Sequence, residues 1–373
     1  MSNIENTKVN PILPLSKRFK NSQPYGAPVL DLELKLNTNE NPYPLPAEVK
    51  AEILKELSQK LDAVNRYPDR LQVEARTALA KYLYEITNVA ISPTQVWAAN
   101  GSNEIINQIL LAFHDPGEIA LGFEPSYSMH KIISEALGYR YQAVPRGDDF
   151  SIDFEKALSI IKRDNPRIIF ITTPNNPTGT STSLGDIEKI LQVATQSVLI
   201  VDEAYGEFST EPSAICLIEK YPNLIVSRTM SKAFAFAGAR IGYAVAQLET
   251  LAALGLSRLP YHLSTQSQVL AKVALGNYQL LQGQVQKLIS SRKFLMQQLR
   301  ELGLTVIESD ANFFLFGEFT SSQHAWQALV DESILVRDVA IPGFLRITVG
   351  TEQESHLFIE RLKGLLNNKI ILK

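Results

Sequence analysis

The sequence predicts an α/β protein, with a large unit on a mostly parallel central sheet followed by a smaller α+β unit. Three observations carry this. From Val96 onward, apolar stretches of strand character alternate with stretches of helical spacing. Three successive apolar stretches, RIIFITT (167–173), SVLIVD (197–202) and NLIVSRT (223–229), each run into polar residues. Ligands of open α/β sheets bind at such carboxyl ends. From about Ser264 to Leu302 the alternation lapses into helical periodicity long enough to bridge two units, and short strands and helices follow. The division expected is residues 41–262 for the large unit, and 263–373 with 1–40 for the small unit and an N-terminal arm.

The chain of 373 residues, with 45% hydrophobic and 20% charged residues, is long enough for more than one core. A net charge of −3 and the absence of a basic run interleaved with aromatics argue against nucleic acid and favour a small-molecule substrate. The single cysteine, Cys216, excludes an intramolecular disulfide and a cysteine-based zinc site; it reads as a small buried hydrophobe. No metal site is expected. MSNIENTKVN lacks the apolar core of a signal peptide, and no stretch has the length of a membrane span, so the cytoplasm is the expected compartment and no membrane partner is expected.

In chain order, residues 1–23 read as a polar arm, and PYGAP (24–28) as a turn. LNTNENPYPLP (36–46) alternates Asn and Pro too densely for helix or strand, which predicts an ordered loop. Pro46 suits the first turn of a helix from about Ala47 to Asp62. After the break at RYPD (66–69), apolar spacing predicts a helix through Leu83. VWAA (96–99) reads as a strand, and NGSNE (100–104) opens a helix running to about Phe113. Free backbone N–H groups and the dipole make that helix start an anion site, although any capped helix looks similar. EIALG (118–122), a helix from about Tyr127 to Leu137, and YQAV continue the pattern. Beyond Arg240, IGYAVAQ reads as a further strand, and LTVIE, NFFLF, SILVR and LRITV, with helices near 321–330 and 352–366, form the small unit.

The chemistry centres on VSRTMSKAFAFAGARIG (226–242), where Lys232 sits in small, apolar company. Desolvation lowers a lysine's pKa and frees its amine as nucleophile or base. We read Lys232 as the attachment point of pyridoxal phosphate. That cofactor requires a lysine for its aldehyde, a carboxylate for its ring nitrogen, donors for its phenolic oxygen, a flat neighbour and a phosphate cup. Asp202 would pair with the ring N–H; it would equally serve as a cap after a strand. Asn176, in PNNPTG, and Tyr205, in DEAY, would donate to the phenolic oxygen, and Tyr127 could lie against the ring. Thr229, Ser231 and Arg240, with Ser102 and Asn103 at the helix start, would hold the phosphate. Released by the substrate amine, Lys232 would act as the general base at the substrate Cα.

The ordered set NNPTG, DEAY and TMSKAFAFAGARIG resembles the fold type I pyridoxal-phosphate aminotransferases. PYGAP with LNTNENPYPLP, RYPD, NGSNE, GFEPSYSMH and LRITVGT are similar to their histidinol-phosphate aminotransferase branch, over nearly the whole chain from Pro24 to Gly350. The resemblance implies a fold type I architecture and a homodimer in which Tyr67 reaches the partner's cofactor phosphate. It further implies that Arg337 and Arg346 bind the anionic end of the substrate, with Tyr25 and Asn39 closing over it. The reaction implied is amino transfer from histidinol phosphate to 2-oxoglutarate, a step of histidine biosynthesis.

Three readings compete. An aromatic amino-acid aminotransferase would share the site and differ at the substrate's distal end. A phosphothreonine-type decarboxylase would use the same cofactor cage without an amino acceptor. A non-catalytic binding module of this fold would not need the intact set of Lys232, Asp202 and Arg240.

Overall fold

The computed structural model describes residues 14–19, 26 and 28–368. Tyr25 lies outside the described residues. The chain begins with a two-residue strand β1 (Leu34–Lys35), then helices α1 (Ala47–Leu61) and α2 (Val73–Thr87). The α/β alternation follows: β2 (Val96–Ala99), α3 (Ser102–Ala112), β3 (Ile119–Glu124), α4 (Ser128–Leu137), β4 (Arg140–Pro145), α5 (Phe154–Asp164), β5 (Ile168–Thr172), α6 (Leu184–Val193), β6 (Val198–Asp202), β7 (Leu224–Thr229) and β8 (Gly242–Val245). Helices α7 (Leu248–Ser257), α8 (Thr265–Gly276) and α9 (Tyr278–Glu301) come next. The chain closes with β9 (Thr305–Val306), β10 (Phe313–Gly317), α10 (Ser322–Asp331), β11 (Ile334–Leu335), β12 (Arg337–Asp338), β13 (Phe344–Thr348) and α11 (Glu352–Asn368).

The central sheet has seven strands in the order β2-β8-β7-β6-β5-β3-β4. All pairs are parallel except those of β8, which runs against both β2 and β7. Strands β2, β5, β6, β7 and β8 are buried along their whole length, as expected of strands whose apolar starts are covered on both faces. One core, including Leu121, Ile169, Leu199 and Val226, fills one face and continues toward α9 and β10. A second, with Ile105, Ile109, Phe170 and Ile200, fills the other under α3 and α7. Each fully buried Leu, Ile or Phe contributes about 1.5–3 kcal/mol.

Beyond α9, β12-β13-β10-β9 form an antiparallel sheet. Strand β1 pairs in parallel with β11, Leu34 opposite Ile334, so the segment leading into the 36–46 loop is joined to the C-terminal strands. The helical stretch at 264–302 consists of two helices, separated at Asn277, whose backbone (φ −116°, ψ 22°) leaves the helical region. Helix α7 has no counterpart among the elements expected from the sequence. Among the described residues, no helix is long and apolar enough to cross a membrane.

Candidate active site

Strands β5, β6 and β7 end side by side, and the register sets Thr172 opposite Asp202 and Asp202 opposite Ser227. Their following loops therefore deliver Asn176, Tyr205 and Lys232 to one edge of the sheet. A cavity of about 350 Å3 opens there. It gathers Ser102, Asn103, Tyr127, Asn176, Asp202, Tyr205, Thr229, Ser231, Lys232 and Arg240 from the large sheet and its loops, with Asn39, Arg337 and Arg346 from the N-terminal loop and the C-terminal strands.

The Lys232 amine donates to the Thr38 carbonyl at 3.1 Å. Burial lowers its pKa to about 8; the Arg346 and Arg240 charges act in the same direction and Glu40 opposes them. Asp202 is almost fully buried; its Oδ1 accepts from the Ala204 N–H, and its Oδ2 lies 3.1 Å from His130 Nε2. His130 lies flat on Phe170, ring centroids 4.4 Å apart, and meets the Tyr127 ring edge-on at 5.4 Å. The sequence reading missed this histidine. Its signal in the sequence was its place at the end of GFEPSYSMH, three residues beyond Tyr127 and in the first turn of α4.

The Tyr205 hydroxyl oxygen accepts from Asn39 Nδ2 at 3.0 Å and from Asn176 Nδ2 at 3.4 Å. Asn176 Oδ1 accepts in turn from Arg346 Nη1 at 2.6 Å, and the other arm of that guanidinium donates to the Asn37 carbonyl at 2.7 Å. Arg337 and Arg346 are direct cross-strand partners on β12 and β13, which is why two arginines nine residues apart share one wall. Arg337 Nη2 is 3.4 Å from the Gly26 carbonyl, and its buried Nη1 has no hydrogen-bond partner among the described residues. Glu40, another residue the sequence reading passed over, sits at the cavity mouth and accepts from the Thr38 hydroxyl at 3.0 Å.

The opposite end of the cavity is the start of α3. Gly101, at φ +85°, precedes it, and a Cβ there would collide with the Arg240 guanidinium. A Cβ on Gly242 would run into the backbone of Gly101 and Ser102. The two glycines thus let β8, Arg240 and the helix start converge, aiming backbone N–H groups and a guanidinium into one space. The Thr229 and Ser231 hydroxyls lie 3.0 Å apart beside it, and the Tyr127 hydroxyl donates to Asn103 Oδ1 at 3.2 Å. Tyr67 is not part of this cavity. It is 79% exposed and stacks on Tyr261 with centroids 4.5 Å apart.

A second cavity of about 360 Å3 lies between α2, the 206–216 segment and the start of α9. Its charges serve one another: Arg228 is buried 3.2 Å from Glu203 and 3.6 Å from Glu207, and the Tyr82 hydroxyl donates to Glu207. It presents no lysine. Cys216 lines it and is exposed, contrary to the buried position expected, because the turn Ala214–Leu217 spends its inward positions on Ala214, Ile215 and Leu217. Among the described residues no group of three or more His, Cys, Asp or Glu could hold a metal ion. The first cavity, by contrast, can take a flat anionic group with an electrophilic carbon. It offers an enclosed amine, a buried carboxylate, two amides on a tyrosine and an anion-binding helix start.

The sequence matches the family described as Aminotransferase class I and II over residues 33–362. The histidinol-phosphate aminotransferase of Corynebacterium diphtheriae is 48% identical over 348 residues, covering 93% of this chain and 95% of that protein. That of Corynebacterium glutamicum is 49% identical over 349 residues, with the same shares. Among solved structures, the histidinol-phosphate aminotransferase from Sinorhizobium meliloti, in complex with pyridoxal-5'-phosphate, superposes with a TM-score of 0.80 at 24% identity, over 90% of this chain and 92% of that one. With its site at the carboxyl ends of β5, β6 and β7 and relatives matching at nearly half identity along most of its length, the chain belongs to the class I and II aminotransferases, in the histidinol-phosphate aminotransferase family.

Proposed function

We propose that this protein transfers the amino group of L-histidinol phosphate to 2-oxoglutarate, giving imidazole acetol phosphate and glutamate, with pyridoxal phosphate held on Lys232. The observation that carries the chemistry is one cavity joining an enclosed lysine amine to a buried carboxylate and a pair of cross-strand arginines. Near-half identity to histidinol-phosphate aminotransferases supports the substrate. When bound, the cofactor supplies an aldehyde that takes up the amino group and a ring that withdraws electrons from the substrate Cα.

The chain's residues do the rest. Asp202 would pair with the ring nitrogen, and His130 positions that carboxylate. Asn176 and Tyr205 would donate to the phenolic oxygen, Tyr127 would flank the ring, and Ser102, Asn103, Thr229, Ser231 and Arg240 would hold the phosphate. Lys232 would take the proton from the substrate Cα; its pKa, lowered by burial, leaves a working fraction of free base near neutral pH. Arg337 and Arg346 bind the substrate's phosphate in the first half-reaction and a 2-oxoglutarate carboxylate in the second, while the N-terminal loop with Tyr25 and Asn39 closes over them. We further infer two domains, 41–262 and 263–373 with 1–40, a cytoplasmic location, and a homodimer in which Tyr67 serves the partner's phosphate site.

The deciding measurement compares kcat/KM for histidinol phosphate and phenylalanine with 2-oxoglutarate as acceptor. We expect a preference on the order of 100-fold or more for histidinol phosphate, because phenylalanine offers the two arginines a singly charged carboxylate in place of a phosphate with more charge and a further acceptor oxygen. Equal or better use of phenylalanine would make the protein an aromatic aminotransferase. Turnover without any acceptor would make it a decarboxylase.

A further inference from the structure

The amide of Asn39 is committed at both ends. Its Nδ2 donates to the Tyr205 oxygen at 3.0 Å, while its Oδ1 accepts from the Thr348 hydroxyl at 3.0 Å. The Thr348 oxygen also accepts the Asn39 backbone N–H at 2.9 Å, so one hydroxyl holds both the backbone and the Oδ1 end of this residue, leaving the Nδ2 end toward Tyr205. Asn176, the other amide on that hydroxyl, is oriented in the same way by Arg346, which donates to its Oδ1. A tyrosine hydroxyl accepts two hydrogen bonds and donates one. Amide N–H groups of Asn39 and Asn176 donate to the Tyr205 oxygen, so that oxygen has no acceptor position left to offer a group in the cavity.

Asn39 is also the only one of these groups carried by the N-terminal loop. Its backbone holds φ +55°, its carbonyl accepts from Asn312, and the Leu36 carbonyl of the same loop accepts the Thr348 N–H at 2.9 Å. The loop is thereby laced to β13 and to the approach to β10, and its single side-chain contact with Tyr205 crosses to the loop after β6.

We propose that Asn39 is a positioning residue that turns the Tyr205 hydroxyl into a fixed donor toward the cofactor's phenolic oxygen, coupling the acidity of the lysine-bound nitrogen to the seating of the 36–40 loop on β13. This rests on the reading of Lys232 as the cofactor-bearing lysine. A donor on the phenolic oxygen stabilises its anion and so lowers the proton affinity of the neighbouring nitrogen. Weakening the donor raises it.

The test is the pH titration of cofactor absorbance in the resting holoenzyme, without substrate. Asn39→Gly is the variant of choice, because glycine tolerates φ +55° where alanine would strain. Its midpoint should rise by about half a unit to one unit, the scale of one neutral hydrogen bond. Combined with Tyr205→Phe, Asn39→Gly should add no further shift, since the contact it supports is already gone. Thr348→Val keeps the Asn39 side chain but removes the hydroxyl that holds its Oδ1 and its backbone N–H, and should move the midpoint the same way. It keeps the question answerable if Asn39→Gly does not fold. An unchanged midpoint with a raised KM for histidinol phosphate would overturn the proposal, making Asn39 a substrate ligand. A full additional shift in the Tyr205→Phe background would overturn it too. If the wild-type protein develops no cofactor absorbance and borohydride traps nothing on Lys232, the functional reading itself falls, and this inference with it.

Discussion

Lys232 is where chemistry and burial meet most directly. With the pKa lowered to about 8, about a tenth of the amines are free base at pH 7, against well under a thousandth for an ordinary lysine. Capture of pyridoxal phosphate by the cofactor-free protein should accelerate as pH rises and level off above about 8; a rate still climbing steeply past 9 would show an unperturbed amine. The linkage has a definite sign. Between about 8 and the ordinary lysine value, the unfolded chain binds this proton and the folded one does not, so the cofactor-free protein gains stability as pH rises through that window. Lys232→Ala should abolish turnover while cofactor still binds noncovalently. The two arginines differ as probes. Arg346 also holds Asn176 and the Asn37 carbonyl, so Arg346→Ala should disturb cofactor binding along with substrate. Arg337 has only the Gly26 contact among the described residues, and Arg337→Ala should raise KM for histidinol phosphate by about tenfold to a hundredfold with cofactor affinity intact. Equal loss in both parameters would remove Arg337 from the substrate wall. His130→Phe should preserve stacking on Phe170 but leave Asp202 Oδ2 unsupported, lowering kcat/KM by about tenfold; an unchanged value would make the histidine mere packing.

Elements were legible in proportion to their contrast with their surroundings. Strands β5, β6 and β7 stand out as apolar runs cut off by polar loops, and those loops carried the residues that now line the cavity. Helix α7, LETLAALGLS, was not legible, because a nearly uniform apolar stretch shows no periodicity even though Leu251 and Leu254 face the core. The break between α8 and α9 is spelled Gly276-Asn277, one turn signal inside a stretch dominated by helical periodicity. Long-range pairings were beyond reach. Nothing local announces that Asn39 touches Tyr205, 166 positions on, or that His130 supports Asp202, 72 positions on. The convergence of β8 and α3 also belongs to this scale. Gly242→Ala forces a methyl into the backbone of Gly101 and Ser102, which cannot rotate away. It should destabilise the protein by about 1–3 kcal/mol and weaken cofactor binding, as a thermal melt and a cofactor titration would report. Full cofactor affinity in this variant would mean the start of α3 does not hold the phosphate.

At the scale of the whole molecule, the exposed apolar side chains Leu61, Val64, Tyr67, Leu71, Leu256, Leu259 and Tyr261 cluster in the 61–71 and 256–261 segments. These segments touch through the Tyr67–Tyr261 stack and the bond from Arg258 to the Arg70 carbonyl. An uncovered surface of this kind suits a second copy of the chain. Sedimentation should give twice the 41.5 kDa of one chain. Leu71→Asp with Tyr261→Asp should yield monomers with weakened cofactor retention; a folded monomer that keeps its cofactor would show each site to be self-sufficient. The pairing of β1 with β11 bears on how such a molecule is made. Residues 34–40 are synthesised well before the strand beside them and before Thr348, which bonds Asn39 from 309 positions further on. Closing so long a loop is slow relative to local folding. The wall of the cavity nearest Lys232 therefore depends on residues 334–348, which follow the whole central sheet in the chain, so the sheet has all its strands before the site has all its walls.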